Sequence, residues 1–345
     1  MSSYENTIIE QTDNKKKLPW VEKYRPAKID QIISHQEIIK SLNKFIAMKT
    51  LPHLLFFGPS GSGKTSTIKC CATEIYGKYA DCMILQLNAS NERGIETVRT
   101  KIKNFVTNKN STFLPLNFRN IFKLVILDEI DSMTVEAQGM LRQTIEKNSN
   151  TTRFCLICND IDKINIALQS RCAFYRFAPL NAKDMRKRLI SICNIEKIDY
   201  EKDAIDAIIK ISRGDMRSAI NTLQQSKLTI NSKITADDIY MMTGYCMPQI
   251  NHDIFNYLIK LSKSKIQLNK CINKITDIVI NNNITIFNML EELKSIVMKS
   301  DFTTSQKIFL IEHFAQNELY DAVNVDNKNI LMIISSLFVI VNDIK

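Results

Sequence analysis

The segment GPSGSGKT, Gly58 to Thr65, constrains this chain more than any other stretch. It follows the apolar run HLLFF and leads into STIKCCATEIYG, which reads as a helix. A strand, a glycine-rich turn and a helix in that order form a loop whose backbone N–H groups converge on one place, where the helix N-terminus adds partial positive charge. Such a loop cradles phosphate. Gly61 and Gly63 permit the turn, Lys64 is placed to pair with the β- and γ-phosphates of a nucleoside triphosphate, and Thr65 to ligate Mg2+.

The surroundings agree with a strand–loop–helix reading. From Leu18 to Ala178 the runs HLLFFG, MILQLNA, LVILDE, RFCLICN and FYRF alternate with helical stretches. Each run is almost continuously apolar, which suits parallel strands covered on both faces, and the alternation predicts an α/β domain. From Asn181 to Gly244 only helical periodicity remains, and from Cys246 to Lys345 amphipathic runs such as ITIFNMLEELKSIVMK continue it. The division expected is a tail over 1–17, an α/β nucleotide-binding domain over 18–178, a small helical domain over 179–245 and a C-terminal helical domain over 246–345. ILMIISSLFVIV, Ile330 to Val341, is too short to span a bilayer and is expected as a buried helix.

Composition narrows the partners. A formal charge of +10 over 345 residues favours an anionic partner, nucleic acid before membrane, although a lysine-rich solvated surface gives the same number. Nine cysteines lie without framework spacing, which argues for a reducing compartment and against a disulfide scaffold. CLIC, Cys155 to Cys158, sits inside an apolar run with no second pair to complete a zinc site, so it reads as strand. The polar start MSSYENTIIEQTDNKKK carries no signal-peptide pattern.

Two strand ends carry further chemistry. LVILDEID, Leu124 to Asp131, is an apolar strand closing on carboxylates. Asp128 is placed to hold Mg2+ and Glu129 to take a proton from an attacking water, the general-base role of an ATPase. RFCLICND ends in Asn159, either an ordinary turn asparagine or a water-orienting amide at the crevice beyond a central strand. In LQSRC, Arg171 by itself reads as a surface arginine paired with a carboxylate.

Taken together, LPWVEKYRP, LPHLLFFGPSGSGKTST, LNASNERGIETVR, LVILDEID, RFCLICN, LQSRC and GDMRSAINTLQ occur in one order over residues 18 to about 245. The set resembles the small subunits of the replication factor C clamp loader, a family of AAA+ ATPases. The last hundred or so residues match only in length and helical character. The resemblance implies an AAA+ P-loop domain with a parallel sheet, a helical lid domain and an all-helical collar domain. It implies ATP and Mg2+ as ligands, with Thr65 and Asp128 at the metal. It also implies a nucleotide site built from Tyr24, Arg25 and Pro26 at the adenine and from Gly58, Pro59, Ser60, Gly61, Ser62, Gly63, Lys64, Thr65 and Ser66 at the phosphates. Asn159 matches the family's sensor-1 residue and Arg217 the sensor-2 arginine. Arg171 matches the arginine finger, which serves the ATP of a neighbouring subunit, so the catalytic set reads Lys64, Asp128, Glu129, Asn159, Arg217 and, in trans, Arg171.

The same resemblance implies partners: other subunits of a five-membered ring, a sliding clamp and primer–template DNA. Arg93, Arg99, Lys101 and Lys103 in NERGIETVRTKIKNF are candidates for sequence-independent phosphate contact, or else a solvated helix face. Phe113, Leu114 and Phe118 are candidates for an apolar clamp contact, or pack underneath. The chain departs from the family pattern at Ser60 and Ile166, where proline is usual, at Asp160, where an aromatic is common, and at Gln143, where a second arginine is usual. An ATP-binding structural ring member with little turnover, and another DNA-dependent AAA+ ATPase, either an alternative clamp loader or a branch-migration motor, are the alternatives. The site of action expected is the nucleus in a cell, or a viral replication compartment or the cytoplasm for a virus.

Overall fold

The computed structural model describes residues 18–48, 50–90, 95–107, 121–230, 232–264, 268–282, 284–322, 326–341 and 344. The five apolar runs form five strands: β1 (Leu54–Phe57), β2 (Ile84–Asn88), β3 (Lys123–Asp128), β4 (Thr152–Cys158) and β5 (Ala173–Arg176). They pair in parallel in the order β2-β3-β4-β1-β5. Helices α1 (Gln36–Met48), α2 (Lys64–Tyr76), α3 (Ile95–Thr107) and α4 (Val135–Asn148) are threaded between them.

In β1, β3 and β4 the apolar runs are continuous because successive side chains point to opposite faces and both faces are covered; the edge strands β2 and β5 are only partly buried, which limits the expected two-sided cover to the inner three. Leu54 and Phe56 of β1, Leu124 and Ile126 of β3 and Cys155 and Ile157 of β4 pack with Leu42 of α1 and Ile68 of α2. Their neighbours Leu55, Val125, Leu127, Leu156 and Cys158 pack on the other face with Ile102 of α3 and Leu141 and Ile145 of α4. CLIC is therefore strand, with both thiols free and buried, and burial pushes Cys158 up to about 12.

Strand order decides where the chemistry falls. β3, β4 and β1 are consecutive in the sheet and run the same way. Their C-terminal ends deliver Asp128, Asn159 and the Gly58–Thr65 turn side by side, at the edge where ligands bind open α/β sheets.

Helices α5 (Ala182–Glu196), α6 (Lys202–Ser212), α7 (Met216–Thr229) and α8 (Ala236–Thr243) follow, and α8 opens on a reciprocal capping box between Thr235 and Asp238. The C-terminal helices are α9 (Pro248–Ser264), α10 (Leu268–Asn281), α11 (Ile286–Lys299), α12 (Thr304–Ala322) and α13 (Asn327–Ile340), with a common core that includes Leu258, Ile275, Leu290, Leu293, Phe314 and Phe338. Helix α13 buries Ile330, Ile334 and Phe338 in that core, while Met332, Ile333, Val339 and Ile340 are exposed. Two compact units divide the chain. One holds the described residues up to Lys197 with Ser212–Gln224, the other Ile198–Ile211 with the described residues from Gln225 onward. Among the described residues, no helix is long and apolar enough to cross a membrane.

Candidate nucleotide site

At the C-terminal edge of the sheet, within the first unit, lies a cavity of about 280 Å³. Its lining brings together Ser60 to Ser66, Asp128, Glu129 and Asn159, Tyr24, Arg25 and Pro26, and Arg217. Gly58 and Pro59 are not in the lining; their carbonyls accept from the Lys64 ammonium at 2.6 and 2.8 Å. Lys64 also donates to Asn159 Oδ1 at 3.0 Å. It is buried, and burial pushes its pKa down while nearby Asp128 pulls it back up. A desolvated ammonium held only by neutral oxygens is a strong partner for phosphate.

Helix α2 begins at Lys64, directly after Gly63 with φ of 99°, a left-handed conformation that glycine adopts without strain. The turn aims the first N–H groups of α2 into the cavity. Thr65 Oγ1 donates to Asp128 Oδ2 at 2.8 Å, so the two oxygens expected at the metal are already adjacent. Hard oxygen donors of this kind suit Mg2+, which takes most of its ligands from phosphates and water; among the described residues no three His, Cys, Asp or Glu side chains gather into a metal cage.

Glu129 adopts φ of 56°, and its backbone N–H donates to Asp128 Oδ1 at 3.0 Å. A left-handed glutamate is uncommon, and this one lines the cavity. Asp131 has a different task from capping a helix. Its Oδ2 accepts from the N–H groups of Asn159 and Asp160, at 3.1 and 3.3 Å, and so fixes the end of β4. Thr134 caps α4 instead.

Tyr24 is nearly buried, its hydroxyl donating to Glu196, which also takes the Lys23 ammonium at 2.5 Å. Burial, followed by Glu196, pushes the phenol pKa up. Tyr24 therefore lines the cavity with ring and backbone and keeps its hydroxyl elsewhere. The sequence reading missed Asp184 and Arg188 of α5 and the apolar wall of Val21, Ile32, Leu180, Met216 and Ile220. Arg188 donates to the Tyr24 carbonyl and its pKa is pushed down by burial. In DMRKR nothing distinguishes it from its neighbours; only the fold of α5 over the cavity does.

Arg171 is not part of this cavity. It follows a short helical turn, Ile166–Gln169, and immediately precedes β5. It is partly exposed and forms an ion pair with Glu146 of α4 at 2.5 Å, while Glu146 also lies 3.7 Å from Arg142. Lys101 and Lys103 are exposed on α3, whose Ile102 is buried against the sheet. Positions 99 and 103 are one turn apart and 101 lies off that line. Arg93 and the apolar candidates Phe113, Leu114 and Phe118 lie outside the described residues.

Residues 54–180 match the ATPase family associated with various cellular activities (AAA). A protein of Acanthamoeba polyphaga mimivirus named as a replication factor C small subunit is 69% identical over 343 residues, covering 99% of this chain and 100% of that one. Replication factor C subunit 5 of Homo sapiens is 39% identical, covering 95% of this chain and 93% of its own. Similarity thus continues well past residue 245 into the C-terminal helices, further than the motifs had carried it. In fold, a solved structure of a RuvB variant from Thermotoga maritima superposes with a TM-score of 0.51 at 17% identity, covering 78% of this chain and 90% of that one. With a phosphate loop, paired acidic strand ends and this extent of identity in hand, the chain belongs to the replication factor C small-subunit family of AAA ATPases.

Proposed function

We propose that this subunit hydrolyses ATP within a hetero-oligomeric clamp loader, stimulated by a sliding clamp and primer–template DNA. The observation that carries this reading is the convergence of Lys64, Thr65, Asp128, Glu129, Asn159 and Arg217 on one cavity while Arg171 stays outside it.

In this reading each residue has a role. Lys64 exchanges its carbonyl partners for phosphate oxygens, and the loop N–H groups hold the same oxygens from the other side. The Thr65 hydroxyl and Asp128 carboxylate would hold Mg2+, which when bound supplies positive charge against the phosphates. Glu129 takes a proton from water as the water oxygen bonds to the γ-phosphorus; the bond to the bridging oxygen breaks, and its electrons leave on ADP. Asn159 holds Lys64 now and orients the attacked group during the step. Arg217 adds charge from α7. The site lacks the last cation, which a neighbouring subunit's counterpart of Arg171 supplies. In this reading residues 18–178 are the ATPase domain, 179–245 the lid and 246–345 the collar that joins subunits. Positions 93, 99, 101 and 103 track the DNA backbone, and the subunit acts where DNA is replicated, in a nucleus or a viral compartment.

Steady-state hydrolysis by the chain co-expressed with its partner subunits tests this, with and without clamp and primed DNA. Wild type is expected to need both ligands for full rate, and Glu129→Gln to keep ATP binding while losing about 10²–10⁴-fold in turnover. Hydrolysis indifferent to clamp and DNA would remove the clamp-loader role.

A further inference from the structure

Asp215 sits between Gly214 and the first turn of α7, and its two carboxylate oxygens do different things. Oδ1 accepts from the backbone N–H groups of Arg217 and Ser218 at 2.7 and 3.0 Å, which makes Asp215 the N-cap of α7. Oδ2 accepts from the Ser60 hydroxyl of the phosphate loop at 3.0 Å. The approach is close as well as bonded: a Cβ on Gly61 would lie 1.7 Å from Asp215 Oδ1. Gly61 also has φ of 63°, so the loop turns its bare backbone against this carboxylate.

Capping fixes the carboxylate plane, because two N–H donors at a helix start leave Oδ1 one position. The second oxygen is then fixed as well, and it points at the loop. Arg217 is two residues along from the cap, on the same turn. Resting on the reading of this cavity as an ATP site, we propose that Asp215 is a positioning residue that ties the phosphate loop to the Arg217 turn of α7 through Ser60. Loop N–H groups and Arg217 guanidinium then meet the phosphates as one preformed unit. A residue without a donor at position 60 would leave the cap intact and the tie unmade.

The two halves of the tie separate in a double-mutant cycle. Affinity for Mg2+·ATPγS is measured by calorimetry on the full-length chain for wild type, Ser60→Ala, Arg217→Ala, the double variant, Asp215→Ala and Asp215→Asn, with Lys64→Ala as control. Ser60→Ala is expected to bind about threefold to tenfold more weakly, the range one hydrogen bond sets. The double variant should bind no more weakly than Arg217→Ala, because without the guanidinium there is nothing left to position. Asp215→Asn should fall within about threefold of wild type, since asparagine caps as well as aspartate, whereas Asp215→Ala should lose at least as much as Arg217→Ala. Losses from Ser60→Ala and Arg217→Ala that multiply, an unaffected Ser60→Ala, or an Asp215→Asn as weak as Asp215→Ala would each overturn the tie. Failure of wild type to bind, or equal binding by Lys64→Ala, would instead overturn the ATP site itself.

Discussion

Lys64 and Arg171 are both assigned to a γ-phosphate in the proposed mechanism, and the fold treats them in opposite ways. Lys64 is buried, drawn in by two loop carbonyls and the Asn159 amide, none of them charged. Arg171 is left at the surface ahead of an edge strand and is neutralised by Glu146. The difference has a physical cause. A cation serving its own chain's ligand can be desolvated in advance, because sheet and loop supply neutral acceptors that phosphate later replaces. A cation serving another chain has no such shelter before assembly, and burying an unpaired guanidinium would cost several kcal/mol. Solvent, a carboxylate and the Ala167 carbonyl of the preceding turn hold it instead, at little cost to exchange.

The largest effect that would break this contrast is in turnover. Arg171→Ala is expected to lower hydrolysis by the assembled complex by about 10³–10⁵-fold while ATP affinity of the chain alone stays the same. Equal loss of affinity would mean that Arg171 reaches its own cavity. Next comes Lys64→Ala, expected to weaken ATP binding by about 10- to 100-fold, the scale of charge-assisted hydrogen bonds, whether or not partner subunits are present. Equilibrium binding to chain and complex reads this directly.

Smaller still is the effect of Glu146→Gln, which frees the finger from its carboxylate. Chemical denaturation of the chain should shift by less than about 1 kcal/mol, as for an exposed ion pair. Hydrolysis by the complex should rise a few-fold if exchange of Glu146 for phosphate limits the finger. A fall in rate would show that Glu146 orients Arg171 for its task.

The gentlest probe acts on the sheet that carries the site. His53 holds the sheet at the end opposite the cavity: its Nδ1 accepts from Phe154 N–H of β4 at 3.2 Å, and its carbonyl accepts from Ala173 N–H of β5 at 2.7 Å. Burial pushes its pKa down to about 4, with Arg153 adding to the shift. A folded-state pKa below the unfolded value of about 6.5 means that this contribution is complete above that pH and is lost as pH falls towards 4. Thermal unfolding between pH 7 and 4 should show the decline, and His53→Gln should flatten it.

The inner strands β1, β3 and β4 were legible because they are buried on both faces and so are spelled in apolar letters, while the edge strands β2 and β5, only partly buried, mix apolar and polar residues. The phosphate loop was legible because its glycines and Lys-Thr, at this spacing between an apolar run and a helical one, turn a backbone around an anion and then start a helix. Asp128, Glu129 and Asn159 announce themselves as polar residues closing apolar runs. Arg188, Asp184 and the tie from Ser60 to Asp215 had no such signature. Arg188 stands in a run of charged residues, and Ser60 and Asp215 lie 155 residues apart in the chain. Nor does the sequence show that Asp131 fastens the end of β4, since what a carboxylate accepts depends on which N–H groups the neighbouring strand presents.

By itself, then, the sequence determined the class of fold, the anion cradle and the acidic strand ends, because local spacing and alternation of side chains suffice to specify each. Tertiary structure alone decided the strand order β2-β3-β4-β1-β5 that sets those ends side by side, the burial that separates Lys64 from Arg171, and the meeting of Ser60 with Asp215. These are contacts between residues far apart in the chain, and their energy comes from packing and desolvation that no local pattern encodes.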